Sequence, residues 1–305
     1  MGADGGREIL VLGAYFVDLV FHGLPETSRP GREIFAEGFT MVPGGAYTLA
    51  MAAHRLEHDV VWATDFGTDL FSGYVLAAAR AEGMDTSGFR YHPGPLRSVT
   101  VALSTPRDRA MISFQDPSEP QPIASLLRQH RPRVVMLPQL RYDTDTVEAL
   151  AAARRHGSIV VMDCQDVPVD LETPGVRAAL ATTDIFAPNA DEALRLTNTA
   201  TLDDALNRLS ELVPNVVIKR GSAGATATHH KQRYDVAAPR VQAVDTTAAG
   251  DCFNVGYVHG ILHGWPPAEC LAAAVACGTA ATRGPGSTPA PTPTTLAHWL
   301  TRTTT

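Results

Sequence analysis

The stretch Asp245-Thr246-Thr247-Ala248-Ala249-Gly250-Asp251-Cys252-Phe253-Asn254-Val255-Gly256 decides how the chain is read. Three small residues, Ala248, Ala249 and Gly250, stand directly ahead of an apolar run with helical character. Successive backbone N–H groups at such a helix start converge on one point where the helix dipole is positive, which makes a candidate anion hole. Asp251 in the first helical turn then puts a carboxylate beside the anion. That arrangement is repulsive unless the carboxylate takes a proton from a group attacking the anion. Taken alone, the plainer reading of Asp251 is an acidic residue favouring a helix N-terminus.

Outward from this segment the chain alternates short apolar runs with longer Ala/Leu-rich stretches. On the N-terminal side Glu8 to Gly13, Val60 to Thr64, Val134 to Leu137, Ser158 to Asp163 and Ile185 to Pro188 read as strands, as does Asn215 to Arg220. Helices fall near Thr48 to Leu56, Phe71 to Glu82, Thr146 to Arg155, Val176 to Ala181, from about Ala190, and in one long Ala/Gly-rich run after Gly250. This is the rhythm of βαβ units and predicts an α/β fold with a mostly parallel sheet. Two stretches, 19–42 and 97–114, lack a helical period and turn at Gly23-Leu24-Pro25, Pro30-Gly31 and Thr105-Pro106-Arg107-Asp108. They read as strands standing off the main sheet, a β lid over a site at its edge. Gly284 to Pro293 reads as a surface loop before a short final helix ending near Arg302.

Composition narrows the classes. The chain has 305 residues, 45% hydrophobic and 19% charged, and a formal net charge of −7. Disordered and fibrous classes are excluded, and no basic block is present to hold nucleic acid. The early apolar run Ile9 to Val17 is too short to span a bilayer and stops at Asp18, and Gly6 stands where N-myristoylation wants Ser or Thr. A soluble cytoplasmic protein without a membrane partner is expected. Cys164, Cys252, Cys270 and Cys277 form no C-x-x-C pair and are expected as reduced, buried thiols.

From Asp245 to Gly256 the sequence resembles the C-terminal signature of the ribokinase-like, or PfkB-family, carbohydrate kinases, without a departure. The resemblance implies that Asp251 is the catalytic base and that the amides of Ala248, Ala249 and Gly250 hold charge on the transferred phosphoryl group. Ala187-Pro188-Asn189-Ala190-Asp191-Glu192 is similar to the family's N-x-x-E motif, which implies that Asn189 and Glu192 orient magnesium near the ATP phosphates; its plainer reading is an Asn cap with acidic first-turn residues. Val217 to Gly224 resembles the strand and glycine turn bordering the ATP site, implicating Lys219, Gly221 and Gly224 with Thr246.

On the N-terminal side Asp18 stands where the family's sugar-binding carboxylate does, and Pro43-Gly44-Gly45-Ala46 matches its di-glycine loop. A carboxylate suits a diol because both oxygens accept, and glycines let backbone approach the sugar. Gly67-Thr68-Asp69 and Glu82 to Thr86 resemble segments flanking the next helix. Three positions depart from the pattern: Phe16 stands where ribokinases carry Asn, Thr48 or Leu49 where the family has Asn, and Glu57 where it has Gly.

The resemblance spans nearly the whole chain. It implies one domain over residues 1–305 with a three-layer α/β/α ribokinase-like core and a β lid, and transfer of the ATP γ-phosphoryl group to a hydroxyl of a sugar or sugar derivative, a furanose favoured. Asp18, Phe16, Gly44, Gly45 and Thr48 would face that acceptor. Magnesium is the implied cofactor, and a monovalent cation such as K⁺ near Asp245 and Thr247 is a feature of many relatives. Pairing of two chains through the lid follows if its strands expose apolar faces. Two other functions fit: a nucleoside kinase of the same fold, and a non-catalytic sugar- or nucleotide-binding protein, against which the presence of Asp251, Gly250, Asn189 and Glu192 speaks. Asp65-Phe66-Gly67 spells a protein-kinase motif without its companions and reads as chance, no G-x-x-x-x-G-K-[ST] or G-x-S-x-G is present, and His259 with His263 reads as core or helix surface.

Overall fold

The first strand, β1 (Ile9–Leu12), is buried on both faces. Ile9 and Val11 pack into one apolar cluster with Trp62 and Val255, while Leu10 and Leu12 pack into another with Leu150 and Phe186. A strand apolar in both directions belongs to a sheet covered by helices on each side. The computed structural model describes residues 6–26, 30–105, 109–165, 167–284, 286 and 289–303. After β1 come β2 (Tyr15–His22), β3 (Gly38–Gly45), α1 (Ala46–Arg55), β4 (Val60–Phe66), α2 (Leu70–Ala81) and β5 (Phe89–Tyr91). The chain continues through β6 (Ser98–Ser104), β7 (Arg109–Gln115), α3 (Ile123–His130), β8 (Val134–Leu137), α4 (Thr144–Arg155), β9 (Ile159–Met162) and α5 (Val176–Ala181). It then forms β10 (Ile185–Phe186), α6 (Ala190–Thr197), α7 (Leu202–Ser210), β11 (Asn215–Lys219), β12 (Ala225–His229) and β13 (Gln232–Val236). Three helices close it: α8 (Ala249–Leu262), α9 (Pro267–Ala281) and α10 (Pro293–Thr303).

The large sheet runs β13-β12-β11-β10-β9-β8-β1-β4-β5. It is parallel from β11 to β5, and the hairpin β12–β13 adds antiparallel to β11. The predicted α/β core is therefore present, in three layers. The second sheet, β3-β2-β6-β7, is the lid. Its strands run beyond the predicted 19–42 and 97–114, because only two residues separate β1 from β2 and β3 pairs with β2 all the way to Gly45. Residues 106–108 of the turn predicted at Thr105 to Asp108 lie outside the described residues.

Further boundaries differ from the sequence reading. Helix α1 begins at Ala46, not near Thr48. The long helix expected after Gly250 is two, since Gly264 adopts φ +70° after α8 and Pro267 supplies the first residue of α9. Helices α3 and α7 and strands β5, β12 and β13 are absent from the sequence reading, although α3 and α7 are amphipathic and bury Leu126 and Ala205, Leu206 and Leu209 respectively. Glu57 has φ +65°, so the place where the family pattern carries Gly is left-handed here too.

The placement of α8 depends on close packing. A Cβ on Gly256 would stand 2.6 Å from the carbonyl oxygen of Ala273 and 2.8 Å from Cys277 Sγ, and one on Gly260 would stand 2.9 Å from Cys270 Cα. Helix α9 therefore lies almost backbone to backbone against α8, with all four cysteines buried as expected. Gly256→Ala should cost about 1–3 kcal/mol by overpacking this contact; the urea midpoint is expected to fall, and an unchanged midpoint would contradict the packing described.

Candidate active site

Strand order reverses at β1: the chain proceeds from β1 to β4 and β5 on one side, and from β8 through β11 on the other. In a sheet of this kind the connections part at that point and leave a crevice at the carboxyl ends of the strands. Two adjoining clefts of about 370 and 610 Å³ open there, sharing Pro138 and Gln165 as common wall. The smaller is bounded by the ends of β1 and β4 and by the lid, and includes Phe16, Gly45, Asp65, Gln115, Gln121 and Gln139. The larger holds Asp163, Asn189, Glu192, Lys219, Gly250 and Asp251, with Gly221, Gly224 and Thr246 on its rim.

Helix α8 starts in the larger cleft. Ala248, just before its first turn, is held at φ +69°, a strained conformation for a residue with a Cβ. The amide of Ala249 donates to the carbonyl of Thr246 at 3.3 Å. Of the three predicted hole amides, that of Ala249 is thus engaged, whereas Gly250 and Asp251 sit in the first turn, where N–H groups have no intrahelical acceptor. Among the described residues Asp251 makes no hydrogen bond or ion pair. Desolvation pushes its carboxyl up to about 7, the negative charges of Asp163 and Asp18 add to the rise, and the Lys219 ammonium opposes it. The segment before α8 is closed by Asp245, whose Oδ1 accepts from Thr247 N at 2.8 Å and Oδ2 from Gly286 N at 2.9 Å.

Asn189 caps α6, its Oδ1 accepting from Glu192 N at 2.9 Å while Asn189 N donates to Glu192 Oε2 at 2.8 Å. This reciprocal cap is the plainer of the two sequence readings, and it also fixes the Glu192 carboxylate at the cleft wall. Burial, reinforced by Asp163, raises the Glu192 pKa. Among the described residues no group of three or more His, Cys, Asp or Glu could hold a metal. One carboxylate acting together with phosphate oxygens and waters is nevertheless the donor set that suits magnesium, so Glu192 fits the ion.

Gly221 and Gly224 have φ +56° and +91°, and a Cβ on Gly224 would lie 2.0 Å from Val236 O, so only glycine permits that turn beneath the cleft. Phe16 lines the smaller cleft and is not part of the core. A Cβ on Gly44 would lie 2.3 Å from Asp18 Oδ2, so the missing side chain makes room for that carboxylate. Thr48 is 2% exposed in α1 and lines neither cleft. Ala248 and Gly44 also line neither cleft, Asp18 lies within electrostatic reach of Asp251, and the remaining predicted residues are brought to the clefts.

The sequence reading missed Asp163, Asn254, Gln139, Gln165 and Asp65, the last set aside as chance. Asp65 is the penultimate residue of β4 and accepts from Arg90 Nε at 2.6 Å. The signal that would have found most of them is position: each except Asn254 lies at or just after the carboxyl end of a parallel strand, β4, β8 or β9. His259 is a core residue, its Nδ1 3.0 Å from His58 Nε2.

Comparison with known proteins agrees with this architecture. Residues 8–295 match the model of the pfkB family carbohydrate kinases. The chain belongs to this family. It is similar to ribokinase of Haemophilus influenzae, 25% identical over 268 residues that cover 84% of this chain and 86% of the relative. It is similar to deoxyribokinase of Salmonella typhi, 24% identical over 264 residues that cover 83% and 85%. The structure of Arabidopsis thaliana ribokinase, solved with ribose and ATP, superposes with a TM-score of 0.81 at 21% identity, covering 97% of this chain and 99% of that one. That likeness shows the fold. No helix of this pfkB-family kinase is long and apolar enough, among the described residues, to cross a membrane.

The isolation of Asp251 is directly measurable. Carbon-detected NMR titration of the purified protein should place its carboxyl near about 7. Titration in the ordinary carboxylate range would show that Asp251 is solvated or paired.

Proposed function

We propose that this pfkB-family kinase transfers the γ-phosphoryl group of ATP to a hydroxyl of a furanose, with Asp251 as the base. The observation that carries the reading is an unpaired carboxylate in the first turn of α8, in the wall of the larger cleft, which adjoins the smaller one at Pro138 and Gln165. The larger cleft would take ATP over Gly221 and Gly224, and the smaller would take the acceptor beneath the lid. As the hydroxyl oxygen attacks phosphorus, its proton passes to Asp251, and the bond to the ADP oxygen breaks. A carboxyl titrating near 7 is matched to that task, since it is ionised enough to accept and basic enough to pull. Charge on the transferring group is met by the amides of Gly250 and Asp251, by the α8 dipole and by Lys219.

Glu192, held by the Asn189 cap, would orient magnesium through its waters, and the ion supplies neutralisation of phosphate charge when bound. The cleft's own electrostatics support that need: Asp163, Asp251 and Glu192 lie within reach of the Lys219 charge and Asp18 adds to the negative charge felt by Asp251, a setting that repels a bare triphosphate. The lid carries exposed Phe39, Met111, Ile112 and Phe114, and pairing of two copies through that face is part of the same reading.

The acceptor is where Phe16 enters. An aromatic side chain in the smaller cleft offers no hydrogen bond and suits a deoxy carbon, an apolar substituent or a base-like ring. Gln115, Gln121 and Gln139 supply donors and acceptors around it. The acceptor is therefore a furanose that lacks a hydroxyl or carries an added group, nucleosides included. Asp251→Asn should leave ATP binding largely intact and lower turnover roughly 10²- to 10⁴-fold; near-normal turnover would remove Asp251 as the base. In ADP-release assays on ribose, deoxyribose, fructose and nucleosides, plain ribose is expected to be poor, and a kcat/KM for ribose above every other acceptor would refute the role of Phe16.

A further inference from the structure

Asp163, the residue after β9, is a junction between three elements. Its Oδ2 accepts from Lys219 Nζ on β11 at 2.5 Å and from Asn254 Nδ2 on α8 at 2.6 Å, and its Oδ1 accepts from Cys164 N at 2.7 Å. The ion pair is largely buried, with side-chain exposures of 14% for Lys219 and 10% for Asp163. Asn254 lies one turn after Asp251, and its Oδ1 has no partner among the described residues, so its amide is committed to Asp163. The Lys219 ammonium meanwhile lies 3.7 Å from where a Cβ on Gly250 would stand, next to Asp251.

A buried ammonium beside two carboxylates pairs with the one that offers the better geometry, since leaving it unpaired is costly. Here Lys219 is held by Asp163 and Asp251 is left unpaired. We propose that Asp163 is a positioning residue that holds the Lys219 ammonium off Asp251, keeping the base free for the acceptor while the cation stays over the phosphoryl hole. The inference deepens the reading of Asp251 as the base and rests on it. The charged groups that act on Asp251 are Asp163 after β9, Lys219 from β11 and Asp18 from β2, and Glu192 from α6 acts in turn beside Asp163. Without the Asp163 charge, Lys219 would turn to Asp251. Loss of a nearby anion and approach of a cation both favour the ionised form, so the base would become weaker.

The test reads Asp251 in two ways, by carbon-detected NMR titration and by the acid limb of the pH profile of kcat/KM. In Asp163→Asn both should move down by about one pH unit or more, with the plateau of kcat lowered about tenfold or more. Lys219→Met should move the titration up. Asp163→Glu, which keeps the charge but displaces it by one methylene, should give a smaller downward movement and recover most of the turnover; it is decisive by the same titration where Asp163→Asn does not fold. A fall in kcat with an unmoved titration would reduce Asp163 to a packing role and overturn the proposal, as would an upward movement. The NMR arm needs no turnover. Absence of phosphoryl transfer by the wild type on every acceptor would overturn the kinase reading, whereas the titrations decide the placement of Lys219.

Discussion

Everything at this site depends on α8 being driven end-on into the crevice where the sheet reverses. Gly256 and Gly260 remove the side chains that would hold α8 away from α9, and α9 in turn fills one face of the sheet with Ala, Val and Cys. Because both helices are buried along most of their length, α8 cannot slide or rotate without opening cavities. Its first turn is thus presented at a fixed point, with dipole, amides and Asp251 in the wall of the larger cleft.

That placement concentrates negative charge. Asp18 arrives from the lid, Asp163 from the end of β9, Asp251 from α8 and Glu192 from α6, and none of them is close to another in sequence. Mutual repulsion and burial raise the pKa of Asp251 and Glu192, while Asp163 is satisfied by three donors. The two carboxylates differ physically: Asp163 has its hydrogen bonds filled, whereas Asp251 has none and keeps a raised pKa, the contrast on which the proposed roles rest.

The second sheet borders the smaller cleft, with Phe16 from β2 and Gln115 from β7 in its wall. Strand β2 leaves the core directly after β1, so the same short segment supplies Tyr15 to the core and Phe16 to the smaller cleft. Alternation along a strand does this without any extra loop, and pairing of β2 with both β3 and β6 fixes which residue faces which way.

The sequence by itself determined the fold class, the order of the βα units, the lid and the phosphoryl-transfer signature, because each is written as a local pattern: apolar periodicity, turn residues, and small residues ahead of a helix. It also located Asn189, Glu192, Lys219, Gly250 and Asp251, which belong to such patterns. Tertiary structure alone decided that Ala249 spends its amide on Thr246, that Thr48 is buried away from both clefts, and that Asp65, Gln139, Asp163 and Gln165 border the site. Asp163 meets Lys219 across 56 residues and Asn254 across 91, distances over which no local pattern constrains a pair. The electrostatic character of Asp251 is likewise a product of the fold, since it arises from burial and from carboxylates that only the packed sheet and helices bring together.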